Sequence, residues 1–215
     1  MKKTAKELTL LEAIKYVKEN NKANFDATVE VHINTNLEVK KAEQMLRFTL
    51  SLPKGTGKQI KVAVLSSKKV PNADLVLSEE DLIKISSGKL DPKKEFDVLV
   101  TEPIYMPKLA SFAKYLGPAG LMPSPKNGTV TDNVETTVDL LKKGRIEVRT
   151  ESNAPIVHTI IGKTSFEEKD LVENFNELLN ALKQNKPQKA KTNWIQSIYI
   201  CSTMGNSVKV SDLNL

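Results

Sequence analysis

Leu116-Gly117-Pro118-Ala119-Gly120-Leu121-Met122-Pro123-Ser124-Pro125-Lys126-Asn127-Gly128-Thr129-Val130 is the most informative run of this chain. It is too rigid and too punctuated for a generic linker. Pro118, Pro123 and Pro125 fix φ, Gly117, Gly120 and Gly128 supply conformations that other residues adopt only at a cost, and Lys126 presents a cation. On physical grounds alone it reads either as a structural loop packed under a sheet or as a loop cradling an anion. Outward from it, helical periodicity covers Lys108 to Leu116 on one side and Asn133 to Lys143 on the other. The second helix closes on Lys142-Lys143-Gly144, basic residues in the last turn and a glycine stop. Further upstream, short apolar strands at Ile60 to Leu65, Leu75 to Leu77 and Phe96 to Val100 alternate with a helix at Glu79 to Ile85. That alternation predicts a parallel sheet with helices packed against it. The acid run Glu79-Glu80-Asp81 sits where a helix N-terminus favours negative charge, so it reads as capping and not as catalysis.

On both sides of this region the pattern changes. Lys54-Gly55-Thr56-Gly57-Lys58 reads as flexible punctuation, a hinge, after a first segment that runs helix, strand, helix, strand. Thr9 and Glu12 stand at capping-box spacing, with Leu10, Ala13, Ile14 and Val17 on one helical face. Val29, Val31 and Ile33 alternate with Thr28, Glu30 and His32, the period of a strand with one buried face. Val39, Ala42 and Leu46 mark a second helix, and Phe48, Leu50 and Leu52 a second strand stopped at Pro53. After Gly144, Ile146 and Val148 and then Ile156 to Ile161 form two long strands, for which a hairpin is predicted. Ser165 and Glu168 repeat the capping-box spacing before a helix carrying Phe166, Leu171, Phe175, Leu178, Leu179 and Leu182. Two last strands, Ile195 to Cys201 and Val208 to Val210, are joined through Thr203-Met204-Gly205-Asn206. The expected class is α/β, a module interrupted by an α/β insertion.

The chain has 215 residues, 40% of them hydrophobic, with 32 Lys+Arg against 26 Asp+Glu and a formal charge of +6. This composition predicts a mildly basic, soluble globular protein of one large or two small domains. The single cysteine, Cys201, rules out an internal disulfide, and its place after Ile198, Tyr199 and Ile200 reads as a buried small hydrophobe. Nothing approaches the roughly 18 consecutive apolar residues of a membrane span or the apolar stretch of a signal peptide. The expected setting is intracellular, or behind a presequence already removed, with no membrane.

Two glycine-lysine pairs fail as phosphate loops. Gly57-Lys58 is followed by Gln59 and has Leu52 where the first glycine belongs; Gly162-Lys163-Thr164 has the hydroxyl but Val157 at the glycine position. His32 and His158 lie in strand alternations with no partner at metal spacing, so both read as ordinary sheet-surface histidines. No metal, no cofactor and no enzymatic activity are expected. The positive balance permits phosphate-backbone binding. It is spread thinly, about +2 over residues 56–144 and about +4 over the flanks. Arginine occurs only at Arg47, Arg145 and Arg149, and aromatic residues are 5% of the chain, which disfavours reading base edges or stacking on single strands. Structured RNA, read by shape, phosphate and 2′-hydroxyl, is the nucleic-acid partner that asks least of aromatics.

The run from Leu116 to Val130 closely resembles the signature of the large-subunit ribosomal protein L-one family, the proteins of the mobile lateral stalk. Co-linear matches extend the resemblance over nearly the whole chain: Phe25-Asp26-Ala27-Thr28-Val29-Glu30-Val31, Ser51-Leu52-Pro53 through Gly55 to Gly57-Lys58-Gln59, Gly144-Arg145-Ile146-Glu147, Gly162-Lys163-Thr164-Ser165-Phe166 and Ser202-Thr203-Met204-Gly205. The resemblance implies two domains, a terminal RNA-binding domain of residues 1–55 and 145–215 with a split β-α-β sheet, and an inserted Rossmann-like three-layer α/β domain of residues 56–144. It implies a structural protein that binds stalk ribosomal RNA, helps deacylated tRNA move and leave at the exit site, and can repress its own messenger, a cytoplasmic monomer when free. Carried over residue by residue, the RNA face comprises Phe25, Thr28, Glu30, Lys163, Ser165, Thr203, Met204 and Gly205. Thr28 and Glu30 fall on the polar side of their strand, Glu30 can accept a 2′-hydroxyl, and Gly205 lets backbone approach RNA sugar closely. For Phe25 and Met204 core packing is the competing expectation. The chain departs from the family at Asn24 and Ala119, where basic residues are common, and at Ser66 to Ala73, which is short for the first helix of the inserted domain.

Overall fold

The computed structural model describes residues 7–39, 42–67, 70–87 and 90–211. In chain order the elements are β1 (Glu7–Leu8), α1 (Leu10–Glu19), β2 (Thr28–Thr35), β3 (Arg47–Ser51), β4 (Val62–Leu65), β5 (Leu75–Val76), α2 (Glu79–Ser86), α3 (Pro92–Glu95), β6 (Val98–Thr101), α4 (Met106–Ala110), α5 (Ala113–Ala119), α6 (Val134–Lys142), β7 (Arg145–Arg149), β8 (Ile156–Lys163), α7 (Glu168–Gln184), β9 (Ile195–Ser202) and β10 (Val208–Val210). They divide into two compact units. One contains the residues up to Gly57 together with those from Gly144 onward, and the other is Lys58–Lys143.

The first unit is built on a five-stranded sheet of order β1-β10-β9-β2-β8, in which β2 runs antiparallel to both β8 and β9. Val29, Val31 and Ile33 of β2, Val157 and Ile161 of β8, and Ile198 and Ile200 of β9 are fully buried. They share one core with Ala13, Ile14 and Val17 of α1 and with Leu171, Phe175, Leu178 and Leu182 of α7. Each of the Val, Ile, Leu and Phe side chains contributes about 1.5–3 kcal/mol, so the inner face fixes the register. A slip by one residue would drive Glu30 and His32 inward. The capping box of α1 forms as its spacing predicts, Glu12 N–H donating to the Thr9 hydroxyl and Thr9 N–H to the Glu12 carboxylate.

Several local expectations give way to longer-range contacts. The helix expected around Ala42 is a single 3-10 turn, Ala42–Gln44, folded back so that the Gln44 side chain accepts from Glu38 N–H; Leu37 and Leu46 are buried beside it. No hairpin joins the strands after Gly144. β7 pairs with β3 in a separate two-stranded sheet and β8 pairs with β2, leaving one antiparallel bridge, Thr150 to Val157, between them. The reason is burial: β3 and β2 each offer an apolar face that sets the partner's register. The helix expected from Lys108 to Leu116 is broken into α4 and α5, where Phe112 turns toward the apolar cluster of its unit. Ser165 does not cap α7. The N-cap is Glu167, without a side-chain cap.

The stretch read as flexible punctuation is pinned to α7. Lys54 N–H donates to Asn174 Oδ1 at 3.0 Å, and Asn174 Nδ2 donates to the carbonyls of Gly55 at 3.1 Å and Ile161 at 2.7 Å. Asn174 is completely buried, and these bonds satisfy both ends of its amide. Gly144 lies directly against this junction at φ +92°. A β-carbon there would come within 2.6 Å of Gly55 Cα, so within the first unit the two backbones pack directly against each other.

The second unit has a parallel sheet of order β5-β4-β6. All four residues of β4 are buried, Ala63 and Leu65 facing one apolar cluster with Leu82, Ile85, Leu109 and Leu116, and Val62 and Val64 facing another with Val134, Val138 and Leu141. Burial on both faces explains why β4 reads as a continuous apolar run. The described residues between β4 and β5 contain no helix, as the shortness of Ser66 to Ala73 implies.

Candidate nucleic-acid interface

The eight residues carried over from the resemblance gather at one end of the five-stranded sheet, around the start of β2 and the ends of β8 and β9. Thr28 pairs with Lys163 and Val29 with Ser202. Lys163 Nζ donates to Thr28 Oγ1 at 3.0 Å. Thr203 N–H donates to the Thr28 carbonyl at 2.9 Å, and its hydroxyl donates to Glu30 Oε1 at 3.0 Å. Sequence reasoning missed the residue that organises the other side, Asp26. Its Oδ1 accepts from the Thr164 hydroxyl and from Ser165 N–H, and its Oδ2 accepts from the Ser165 hydroxyl at 2.9 Å. Desolvation pushes the Asp26 carboxyl upward, but the bonds from Ser165 and Thr164 and the Lys163 charge outweigh it and hold the group below its ordinary range. The available signal was its place within Phe25-Asp26-Ala27-Thr28, immediately ahead of a strand.

Phe25 and Met204 are not core residues: Phe25 is 58% exposed and Met204 91%. Met204 also has φ +66°, the sole positive value at a non-glycine among the described residues. Gly205 N–H donates to the Ser202 carbonyl at 2.7 Å, closing a turn whose third residue, Met204, is left-handed as in type II. The glycine at 205 has an internal cause. A β-carbon there would lie 2.2 Å from Ser202 Oγ and 3.1 Å from the Ser202 carbonyl oxygen, so a larger residue would have to displace the Ser202 hydroxyl.

The register assembles a second group, which corrects two readings. His32 stands opposite His158, and Glu30 opposite Cys201, all on the face away from the core. His32 Nδ1 is 2.7 Å from His158 Nδ1, and His32 Nε2 is 3.1 Å from Cys201 Sγ. Glu30 Oε2 lies 3.8 Å from His32 Nε2. The histidines thus have partners that strand pairing supplies and local spacing does not reveal. Cys201 is half-buried on the outer face, because the inward positions of β9 are Ile198, Ile200 and Ser202. Desolvation, then the Glu30 charge, raises the Cys201 thiol above its usual value. Desolvation and His158 lower His32, with Glu30 opposing them.

The run from Leu116 to Val130 lies in the second unit. Its amides are turned inward: Gly120, Leu121, Asn127, Gly128 and Thr129 donate to carbonyls of the same segment, and Ser124 N–H donates to the Thr129 hydroxyl. Thr129 and Thr131 flank a parallel bridge from Val130 to Thr101. An anion cradle needs free N–H groups converging on one point; here they stabilise the loop and extend the sheet.

Comparison with known proteins gives the family. The pattern of the Ribosomal protein L1p/L10e family matches residues 17–206. The large ribosomal subunit protein uL1 of Phytoplasma australiense is 45% identical to the chain over 216 residues, covering 98% of this chain and 92% of that protein. The protein of that name from Mesoplasma florum is 47% identical, covering 93% and 88%, and uL1c of Phaeodactylum tricornutum is 41% identical, covering 93% and 87%. With a family match across most of its length and relatives of this identity along nearly all of it, the chain belongs to the Ribosomal protein L1p/L10e family.

Proposed function

We propose that the chain is a structural protein of the large ribosomal subunit that binds stalk ribosomal RNA through the end of the five-stranded sheet. The uL1 names of its relatives support a place on the large subunit. The observation that carries the RNA reading is the projection of two apolar side chains, Phe25 and Met204, into solvent beside Lys163, Thr28, Ser165 and Thr203. Exposed apolar groups set among hydrogen-bonding side chains and a cation suit a surface read by shape, sugar and phosphate. In this reading the first unit binds RNA, the inserted Rossmann-like unit moves with the stalk and helps deacylated tRNA leave the exit site, and a messenger with a similar fold competes for the same face. The protein is a monomer when free and performs no catalysis.

Footprinting of ribosomal RNA with and without the chain tests this. Protection confined to the stalk is the expected result, and it should disappear when Phe25, Lys163 and Met204 are changed together. Protection elsewhere, or protection insensitive to that triple change, would reject the assigned face.

A further inference from the structure

We propose that Glu30, His32 and Cys201 bind a zinc-class transition-metal cation on the outer face of the five-stranded sheet, with His158 positioning His32. One ligand atom from each of the three residues lies within 4.8 Å of the others. His32 Nε2 is 3.1 Å from Cys201 Sγ and 3.8 Å from Glu30 Oε2. Bond lengths of about 2.0–2.3 Å in a tetrahedral zinc site set ligand edges near about 3.4–3.6 Å, so small rotations of these side chains suffice.

The donor set selects the metal class. Thiolate with imidazole favours zinc and its neighbours over magnesium or calcium, which prefer oxygen alone. Three protein ligands leave a fourth position for water. Glu30 and His32 are partly exposed and Cys201 lies deeper beside them, so an ion can enter from the side of Glu30 and His32, and on binding the thiol proton leaves for solvent.

The surroundings already provide what such ligands need. The short contact between His32 Nδ1 and His158 Nδ1 fixes the imidazole and, with the proton on His32 Nδ1, turns the Nε2 lone pair toward Cys201 and Glu30. The Thr203 hydroxyl holds Glu30 Oε1 and leaves Oε2 facing His32. The ligands stand on paired strands whose register is locked by the core beneath them, a rigid platform of the kind precise sites require. The proposal does not depend on whether this face binds RNA.

The test uses the untagged full chain, stripped by a chelator and titrated with Co²⁺. Because Cys201 is the sole cysteine, a thiolate-to-cobalt charge-transfer band identifies its ligand without ambiguity. One equivalent should produce that band with tetrahedral d–d bands, and Zn²⁺ should displace it. Cys201→Ser should abolish the band, and Glu30→Gln and His32→Ala should each weaken binding at least 10-fold. His158→Ala should weaken binding about 10-fold to 100-fold while retaining the band, the mark of a positioning residue. Melting curves of the metal-free variants identify any that misfold. For these, X-ray absorption of the zinc-loaded parent gives the answer directly, through the presence or absence of a sulfur neighbour near about 2.3 Å. No thiolate band with cobalt, no sulfur neighbour with zinc, or affinity unchanged in both Glu30→Gln and His32→Ala overturns the assignment.

Discussion

Met204 holds a left-handed backbone with its side chain in water, a conformation that costs a residue with a β-carbon about 1–2 kcal/mol. Glycine there removes that strain while adding freedom to the unfolded chain. Met204→Gly should therefore leave stability unchanged or raise it by up to about 1 kcal/mol. Loss of the apolar contact should weaken stalk RNA binding about 5-fold to 30-fold, from about 1–2 kcal/mol of lost burial; a melt and a gel-shift titration on the same sample check both. Thr203→Val tests the neighbouring polar contact. The hydroxyl donates to Glu30, which is half-exposed and can turn to water, so the melting temperature should move by only a few degrees. Removing one donor and acceptor from an RNA interface costs about 1–3 kcal/mol, hence binding about 5-fold to 150-fold weaker. Unaltered affinity would remove Thr203 from the interface.

The capping box at the start of α2 is an isolated local device whose effect is visible in pH. Ser78 and Asp81 exchange side-chain and backbone bonds, and Lys84 bonds to Asp81 at 2.7 Å. Lys84 first, then Ser78, holds the Asp81 carboxyl at about 2 instead of 3.8. Since the folded value is depressed, the stabilisation is complete above pH 3.8 and is lost as pH falls toward about 2. Asp81→Asn should melt below the parent at neutral pH, and the gap should close over that acid range. A gap that persists at the acid end would mean that packing, not charge, separates the two. Elements of this kind are legible where their partners are three residues apart: the box at Thr9 and Glu12 is read from spacing alone, whereas at the start of α2 the acid run Glu79-Glu80-Asp81 marks the helix N-terminus without revealing the bonds between Ser78 and Asp81. The same spacing at Ser165 and Glu168 misleads, because Asp26, distant in sequence, takes the Ser165 hydroxyl. The Glu30, His32, His158 and Cys201 group was illegible for a related reason. It exists only through the registers of β2 with β8 and with β9, and no window of sequence contains it. The exposure of Phe25 and Met204 is an expectation of the family resemblance, with core packing as its competitor.

Gly55 and Gly144, close together within the first unit, can be joined by a short linker. A chain in which residues 58–143 are replaced by a short Gly-Ser linker should unfold cooperatively and retain most of its affinity for stalk RNA. Cooperative folding without RNA binding would show that the inserted unit supplies the contacts. With a formal charge of +6 and three arginines, about three to six phosphate contacts are expected. Log affinity should then fall against log salt with a slope of magnitude roughly 2 to 5; a magnitude above about 10 would indicate a purely electrostatic, unspecific binder. The sheet order has a further consequence, for synthesis. β2 precedes the inserted unit in the chain, yet its two neighbours are β8 and β9, so both its backbone edges stay unpaired while the inserted unit, contiguous in sequence, can fold as soon as it is complete. The turn at Thr203 to Gly205 emerges later still. A nascent chain halted before β9 would carry the inserted unit but lack Thr203, Met204 and Gly205, and on the proposed reading it should compete poorly with the completed protein for ribosomal RNA.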